Sequence, residues 1–279
     1  MHEHEPLHSP LYRKQWYYLD HSDAGLTMNP IHSFAMDDTL CRKIAAEPDW
    51  GIARSWVHHS TVVLGIQDSR LPHVEDGISF LRQQGYHVIV RNSGGLAVVL
   101  DKDILNLSLI FKEDKGMSID HGYELMVAMM KRILPFGEKI EDGEIKESYC
   151  PGRYDLSING KKFAGISQRR LRGGVAVQIY LAVSGSGAQR AELIRQFYEH
   201  AVQGETIKFN YPKIVPAKMA AIAELTGSSF SVQEVLHSLL FALRALSSEL
   251  HTCQLSAADW EQFAENVARM EKRNEKLLL

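Results

Sequence analysis

The residues with the clearest capacity for chemistry in this 279-residue chain are one cysteine and one lysine. Cys150 lies in the segment Ser148–Gly152, next to a chain-bending Pro-Gly pair, and Lys162 follows shortly after it. A thiol attacks a carbonyl as the thiolate, and a nearby ammonium group is one of the few ways to lower a thiol pKa toward neutrality. The spacing therefore predicts a covalent acyl-transfer centre. The alternative is structural, because most cysteines are small buried residues and most lysines are solvated.

The clearest hairpin in the sequence positions this lysine. Asn159-Gly160 suits the positive backbone angles of a type I′ turn, and it joins two short strand-like runs. A two-residue turn places Ser157 opposite Lys162. Because side chains alternate along a strand, Lys162 lies on the face opposite Phe163 and the other apolar residues. It is predicted to face either water or a polar cleft.

The glycine-rich turn from Arg91 to Leu96 is the second candidate site. Paired glycines let a ligand approach the backbone and expose its amide donors, and Arg91 could supply a charge to a carbonyl, phosphate or carboxylate. The flanking runs His87–Arg91 and Leu96–Leu100 predict two strands joined by the turn. An ordinary hairpin turn with a solvated arginine is the alternative. The substrate-binding residues predicted here and on the lysine strand are Arg91, Ser93, Gly94, Gly95, Leu96, Gly165 and Ser167.

Positive charge is concentrated around the lysine, at Lys161, Arg169, Arg170 and Arg172, with no acidic residue between them. Such a patch would attract an acidic protein partner and raise the encounter rate, so these four residues are predicted to dock one. A solvated positive face is the alternative. Nucleic acid is not predicted as a partner, since Phe163 is the only aromatic residue within the patch.

The composition is typical of a soluble globular protein, with 45% hydrophobic residues, 23% charged residues and a net charge of −3. No global basic field indicates nucleic acid, and no apolar run reaches the length of a membrane span. The three cysteines are far apart and cannot all pair, which favours reduced thiols in the cytoplasm. No residue cluster has the spacing of a zinc site, so no metal is predicted.

Strand and helix patterns alternate through about residue 210 and predict an α+β domain with an appendage. We expect an irregular polar arm over residues 1–30, a catalytic domain over 31–216 and a small helical C-terminal region over 217–279. A capping box at Ser231 and Glu234 begins one of the predicted C-terminal helices.

Several of these segments resemble the biotin/lipoate protein ligase superfamily. Arg91–Gly95 resembles its Arg-Arg-x-x-Gly-Gly turn, and Lys161–Gly165 resembles its Lys-Ile/Phe-x-Gly motif. A narrower resemblance is to the octanoyl-[glycine cleavage H protein]:protein N-octanoyltransferases of the lipoyl/octanoyl transferase family. The segments that carry it are Ser33–Leu40, Arg54–His59, Ser148–Gly152, Gly165–Arg170 and Arg269–Lys276.

The resemblance implies the α+β fold of the biotin and lipoate ligases, with a small helical C-terminal region. It implies that a cysteine carries the acyl group and that a lysine favours its thiolate form, and these roles fall on Cys150 and Lys162. The implied reaction moves an octanoyl or lipoyl group between two protein lysines. The donor is the glycine cleavage H protein, the acceptors are lipoyl domains of 2-oxoacid dehydrogenase complexes, and no cofactor is required.

Two departures from the superfamily pattern weaken the case for an ATP-dependent ligase, which must stabilise an acyl-adenylate. The turn has one arginine where the superfamily pattern has two, and the histidine that follows the glycines in many relatives is missing from Leu96–Leu100. Three alternatives stay open: an octanoyl-[acyl carrier protein]:protein N-octanoyltransferase with the same cysteine and lysine, an ATP-dependent lipoate–protein ligase, and a non-enzymatic lipoyl-binding module.

Overall fold

The structure is a computed structural model that describes residues 9–47, 49–207 and 209–275, so the first eight residues of the predicted arm lie outside it. Its strands, in chain order, are β1 (Arg13–His21), β2 (Trp50–Trp56), β3 (Thr61–Leu64), β4 (His87–Val90), β5 (Val98–Leu100), β6 (Ile104–Lys112), β7 (Glu141–Asp142), β8 (Leu156–Ile158), β9 (Lys161–Leu171), β10 (Gly174–Ala182) and β11 (Ser247–Thr252). Its helices are α1 (Ile31–Ile44), α2 (Val74–Gln83), α3 (Ile119–Ile133), α4 (Gly187–Val202), α5 (Ile222–Thr226), α6 (Val232–Ala245) and α7 (Ala257–Asn274).

The strands form two sheets. The larger sheet has the order β11-β1-β2-β6-β10-β9-β8-β7, and the smaller one has the order β4-β3-β5. Alternate residues of β10 point to opposite faces of the larger sheet, so Val177 packs in the core that contains helix α3, while Ala176 packs in the core that contains helix α1. Mixed sheets with helices on both faces confirm the predicted α+β class.

Strands from near both ends of the described chain belong to the larger sheet. The irregular conformation expected for residues 1–30 is wrong for β1, which lies between β11 and β2 and pairs in parallel with both. Helices alone were expected after residue 217, and this is wrong at β11. Trp16 is fully buried in the core, which explains why this end of the chain is ordered into a strand. The three-part domain division itself stays a prediction.

The glycine-rich turn does not join two paired strands, as the sequence had suggested. Both β4 and β5 pair with β3, in parallel and antiparallel orientation respectively. The turn from Arg91 to Ala97 therefore crosses the C-terminal end of β3. Because β4 and β5 do not pair with each other, the backbone N–H groups of the turn are not used in a hairpin and can donate hydrogen bonds to other groups.

The predicted hairpin between β8 and β9 is present. Asn159 and Gly160 have φ values of 52° and 69°, as a type I′ turn requires, and Ser157 pairs with Lys162. Phe163 joins the apolar core on one face, and Lys162 lies on the other, where it is fully buried among polar groups.

Substituting Gly51 tests whether β1 is integral to the fold. A methyl group at Gly51 would lie 2.7 Å from the buried ring of Trp16, so Gly51→Ala should lower the free energy of unfolding by about 1–3 kcal/mol. Urea denaturation measures this change. Gly143→Ala is the matched control, because no heavy atom lies within 4 Å of the added methyl group, and it should change stability by less than about 0.5 kcal/mol. Equal unfolding midpoints for the two variants would contradict the packing described here.

Candidate active site

Cys150 lies at the edge of a cavity of about 240 Å³ and is half-buried. Its φ angle is 45°, in the left-handed region that non-glycine residues adopt at a cost. Residues from both sheets and from helix α1 line the cavity. They include Phe34, Trp56, Arg91, Gly94, Gly95, Val98, Leu100, Asn106, Tyr123, Gly165, Ser167, Gln178, Ile179 and Tyr180.

The sulfur atom of Cys150 contacts the glycine-rich turn. The backbone N–H of Leu96 donates to Sγ over 3.1 Å, and Nη2 of Arg91 lies 3.4 Å from it. The same Nη2 donates to the Leu96 carbonyl oxygen over 2.7 Å, which fixes the guanidinium in the turn. A side chain at Gly95 would meet Arg91 at 2.2 Å and the sulfur at 2.9 Å, and its φ of 103° also favours glycine. The turn thus aims two donors at one thiol.

Lys162 contacts Cys150 through oxygen. Its Nζ donates to the carbonyl oxygens of Cys150 and Tyr149 over 2.8 and 2.9 Å, and to the Ser148 hydroxyl over 3.2 Å. A carboxylate oxygen of Asp155 lies 2.9 Å away and completes the surroundings of the ammonium group. The structure therefore brings Cys150 and Lys162 together, with the lysine at the backbone of the cysteine.

Asp155 accepts hydrogen bonds from the backbone on both sides of the cysteine. Its Oδ2 accepts hydrogen bonds from the backbone N–H groups of Gly152 and Ile145, over 3.1 and 3.3 Å. Burial raises the pKa of Asp155, while the ion pair with Lys162 and these two N–H donors act in the opposite direction. The loop around the thiol is thus held by one buried ion pair.

The C-terminal helix supports the start of the glycine-rich turn. Asn274, in the last turn of α7, accepts from the Val90 N–H over 2.7 Å and donates to the Val90 carbonyl over 3.2 Å. Val90 directly precedes Arg91, so α7 fixes the position from which the arginine leaves β4.

A buried carboxylate on α1 supports the middle of the turn. Asp38 accepts from the amide of Asn92 over 3.0 Å and from Nε of Arg169 over 2.8 Å. Its second bond to Arg169, from Nη2, is 3.2 Å long. One carboxylate therefore joins the turn to strand β9, which begins with the hairpin that carries Lys162.

A second buried carboxylate supports the end of β3 below the turn. Asp68 accepts from the Gly65 N–H and from the Tyr198 hydroxyl, each over 2.8 Å. A side chain at Gly65 would lie 2.0 Å from the carbonyl oxygen of Gly95, so the two glycines allow the turn to cross β3 closely. Burial raises the pKa of Asp68 to about 6 against these hydrogen bonds and the charge of Arg91.

The floor of the cavity is one face of the larger sheet. Trp56, Asn106, Tyr180 and Gly165 form a row of paired residues across β2, β6, β10 and β9. A methyl group at Gly165 would lie 2.7 Å from the Tyr180 ring, so this glycine makes room for the aromatic floor.

The next row on the same face is polar and consists of Arg54, Ser108, Gln178 and Ser167. Arg54 and Asp37 of helix α1 form a fully buried ion pair of 2.8 Å. Asp37 also accepts from Ser108 and Gln178, each over 2.6 Å, and Gln178 accepts from Ser167 over 3.3 Å. A satisfied network of this kind links helix α1 to the cavity wall.

Comparison with known proteins identifies the fold and the family. Residues 29–244 match the family described as the lipoyl protein ligase A/B catalytic domain. The chain belongs to this family. Its backbone is similar to that of a lipoate-protein ligase A bound with ATP (TM-score 0.69, 17% identity, 92% of this chain and 95% of the other). It is also similar to a bipartite lipoate protein ligase from Thermoplasma acidophilum (TM-score 0.67, 17% identity, 94% of this chain and 96% of the other).

Curated relatives are similar over nearly their whole length. A protein of Geobacillus kaustophilus is 52% identical over 97% of this chain and 96% of its own. A protein of Exiguobacterium sibiricum is 54% identical over 95% of this chain and 97% of its own. A protein of Staphylococcus aureus is 45% identical over 94% of this chain and 94% of its own. All three bear the name octanoyl-[GcvH]:protein N-octanoyltransferase. The family membership that the sequence resemblance implied is thereby confirmed.

Among the described residues of this family member, no helix is both long and apolar enough to cross a membrane.

The predicted substrate-binding residues mostly converge on the thiol. Arg91, Gly94, Gly95, Gly165 and Ser167 line the cavity, and Leu96 donates its N–H to the sulfur. Ser93 is buried in the turn outside this lining.

The four predicted docking residues do not form one positive face. Arg169 and Arg170 are neighbours on a strand and point to opposite faces, where each meets an acid. Arg169 pairs with Asp38 and Arg170 pairs with Glu113, both over 2.8 Å. The other two residues are exposed and lie at the start and just beyond the end of β9: Lys161 and Arg172.

The sequence interpretation missed several supporting residues of the site, namely Asp37, Asp38, Arg54, Asp68 and Asn274. A signal existed for two of them, because Asp37 and Asp38 are adjacent acids in the run from Phe34 to Cys41, whose other residues are apolar except for Thr39. Acidic residues inside an apolar helix are rarely buried without partners. Asn274 lies within Arg269–Lys276, one of the segments that carry the family resemblance, but that resemblance gave it no role.

The raised pKa of Asp68 predicts a pH dependence of stability. Because the folded state binds this proton more tightly than the unfolded state, the contribution is complete below pH of about 4 and is lost as pH rises through about 6. The stability of the protein relative to Asp68→Asn should therefore fall by up to about 3 kcal/mol between pH 4 and 7. Urea unfolding of both proteins across this range measures it. A constant difference would contradict a buried carboxylate that titrates near pH 6.

The three thiols are expected to react at different rates with iodoacetamide. Burial raises the pKa of Cys41, and it raises that of Cys253 to about 11, whereas Cys150 is only half-buried and touches two hydrogen-bond donors. Cys150 should be modified at least about tenfold faster than the other two in the native protein. Peptide mass mapping over time measures the rates, and urea-unfolded protein is the control in which the differences disappear. Equal native rates would contradict the site.

Proposed function

We propose that this protein transfers an octanoyl group from the lysine of the glycine cleavage H protein to the lysine of a lipoyl domain, through a thioester on Cys150. The observation that carries the proposal is the half-buried Sγ of Cys150, which faces a cavity and accepts the Leu96 N–H over 3.1 Å. The shared name of the relatives supports the donor and the acyl group. The cysteine mechanism and the lipoyl-domain acceptor extend that name.

In the first half of the reaction, the Cys150 thiolate attacks the carbonyl carbon of the octanoyl amide. A carbon–sulfur bond forms, the carbon–nitrogen bond breaks, and the lysine of the donor protein leaves as an amine after taking up one proton. The tetrahedral intermediate carries a negative oxygen next to the sulfur, where hydrogen-bond donors stabilise it. The Leu96 N–H and the Arg91 guanidinium, which contact the sulfur, are donors close to this position.

In the second half, the amine of the acceptor lysine attacks the thioester. The carbon–nitrogen bond forms, the carbon–sulfur bond breaks, one proton is released, and the thiolate of Cys150 is restored. An amide replaces an amide, so the overall free-energy change is close to zero. The thioester between them is higher in free energy, and the site must stabilise it together with the two flanking transition states.

The cavity beside Cys150 suits an unbranched acyl chain. Its volume is about 240 Å³, and Phe34, Trp56, Val98 and Leu100 supply apolar surface. Burial of a methylene group is worth roughly 0.8 kcal/mol, so a buried octanoyl chain gains roughly 5 kcal/mol. That gain favours an acylated enzyme with its chain held away from water.

Mass spectrometry of the intact protein tests the proposal. After incubation with octanoyl-H protein, the mass should rise by one octanoyl group, and addition of a lipoyl domain should move that group to the domain. Cys150→Ala should form no adduct and transfer nothing, because the bond-forming atom is missing. Cys253→Ala is the matched control and should keep both activities, since Cys253 lies in a different core cluster from the cavity residues.

Parallel incubations separate the proposal from its alternatives. An adduct formed from octanoyl-acyl carrier protein, and not from octanoyl-H protein, would identify the sister transferase. Transfer that requires free octanoate and ATP would identify a ligase. Binding of a lipoyl domain without an adduct from any donor would identify a non-enzymatic module. Each of these results would overturn the proposed donor or mechanism.

A further inference from the structure

The C-terminal helix α7 has a buried stripe that is mostly polar. Its buried residues are Asn266, Met270 and Asn274, which are spaced four residues apart and therefore lie on one face of the helix. Two of these three side chains are carboxamides. Burial of a carboxamide is costly unless the group is hydrogen-bonded. The partners of the two asparagines therefore indicate what each end of the stripe holds in place.

Asn274 is hydrogen-bonded to strand β4. Its Oδ1 accepts from the Val90 N–H over 2.7 Å, and its Nδ2 donates to the Val90 carbonyl over 3.2 Å. The same Nδ2 donates to the Met270 carbonyl over 2.8 Å, which fixes the carboxamide on its own helix. One side chain thus binds both backbone hydrogen-bonding groups of a single strand residue.

Those two groups of Val90 lie on the outer side of the smaller sheet. β4 is an edge strand of that sheet, and the N–H groups of His87 and Arg91 donate toward β3. Because the direction of these groups alternates along a strand, the N–H and the carbonyl of Val90 face away from β3. Asn274 therefore takes the place of a neighbouring strand at the end of β4.

The end of β4 leads directly to the thiol. Arg91 follows Val90 in the chain, and its Nη2 donates to the Leu96 carbonyl over 2.7 Å. The Leu96 N–H in turn donates to Sγ of Cys150 over 3.1 Å. The held strand residue is thus joined through the first residue of the turn to the last one, and from there to the sulfur.

Asn266, at the other end of the stripe, holds helix α1 instead. Its Nδ2 donates to the Thr39 hydroxyl over 3.0 Å. That hydroxyl also donates to the Ala35 carbonyl over 2.9 Å, so it keeps a partner when Asn266 is replaced. The two asparagines therefore form a matched pair, because both fix α7 to the rest of the protein and only Asn274 binds the strand that leads into the turn.

We infer that Asn274 is a positioning residue for acyl transfer, which holds Val90 and thereby sets the place of the glycine-rich turn at the sulfur. The inference rests on the proposed function, in which Cys150 is the nucleophile. The hydrogen bonds of Asn274 go to strand and helix backbone, so it acts through the turn. A displacement of about 1 Å at a reacting centre can lower a rate about 100-fold, so the effect of a lost hold on Val90 is measurable.

The rate of Cys150 acylation by octanoyl-H protein in a single turnover, followed by mass spectrometry of the intact protein, tests this role. Asn274→Leu keeps the number of non-hydrogen atoms in the side chain and removes both bonds to Val90. The rate at saturating donor should fall at least about tenfold. The half-saturating donor concentration should stay within about twofold, because Asn274 is buried and does not meet the donor protein.

Asn266→Leu is the matched control and should keep the acylation rate within about twofold. Urea unfolding of both variants shows how much stability each has lost. Should Asn274→Leu not fold, Asn274→Ser replaces it, because the smaller side chain leaves room for water at Val90. None of these substitutions changes a charge. All rates are compared at one pH of about 8, where Asp68, whose pKa is about 6, is ionised.

Hydrogen–deuterium exchange provides a second measurement that needs no acyl donor. NMR resolves the exchange of the Leu96 N–H, which is bonded to the sulfur. In Asn274→Leu this N–H should exchange at least about threefold faster than in the unsubstituted protein, because the turn is less firmly held. In Asn266→Leu its exchange should change by less than about twofold.

Three results would overturn the inference. Equal losses of rate in the two leucine variants would show that α7 contributes stability alone. A raised half-saturating concentration with an unchanged rate would assign Asn274 to binding of the donor. A lower rate with unchanged exchange at Leu96 would exclude the route through the turn. If the unsubstituted protein forms no adduct, the proposed function fails, and the exchange measurement still decides whether Asn274 holds the turn.

Discussion

The ammonium group of Lys162 has no contact with water, and its need for oxygen partners organises the segment that carries the thiol. A buried charge without partners costs several kcal/mol, so the positions of the surrounding oxygens are tightly constrained. Two carbonyl groups of the Tyr149–Cys150 segment and the carboxylate of Asp155 meet this need. Asp155 then fixes Gly152 through its N–H. In the left-handed conformation of Cys150, the carbonyl groups of its segment thus help to satisfy the buried charge of Lys162.

The other half of the site reaches the thiol from the opposite direction, and its supports come from distant parts of the chain. The glycine-rich turn crosses the end of β3, where Asp68 holds the backbone from below. Asp38 of helix α1 holds Asn92, and Asn274 of helix α7 holds Val90. Because these supports are hydrogen bonds between buried or partly buried groups, a shift of helix α1 or of helix α7 would be transmitted to the donors at the sulfur. The C-terminal helix therefore acts as part of the site.

Local features of this protein were predictable from sequence, and non-local ones were not. The Asn-Gly turn, the capping box at Ser231 and the burial pattern around Phe163 depend on neighbours within a few residues. Strand β11 is short and polar, and only its parallel pairing with β1 makes it a strand. Likewise, Arg169 resembled a free surface charge because its partner Asp38 lies 131 residues earlier in the chain. Periodicity reports which face is apolar, but it does not report which element covers that face.

The buried polar row beside the cavity explains how one sheet face can serve both stability and selectivity. Arg54 and Asp37 lie between helix α1 and the sheet with no exposure, and the second oxygen of Asp37 accepts from Ser108 and Gln178. A network with every member paired leaves Gln178 little freedom to turn, so its amide meets Ser167 at a fixed place on the cavity wall. The polar groups of this row are then already engaged with the protein. An apolar chain can pass them without breaking a hydrogen bond, whereas a polar chain finds few free partners there.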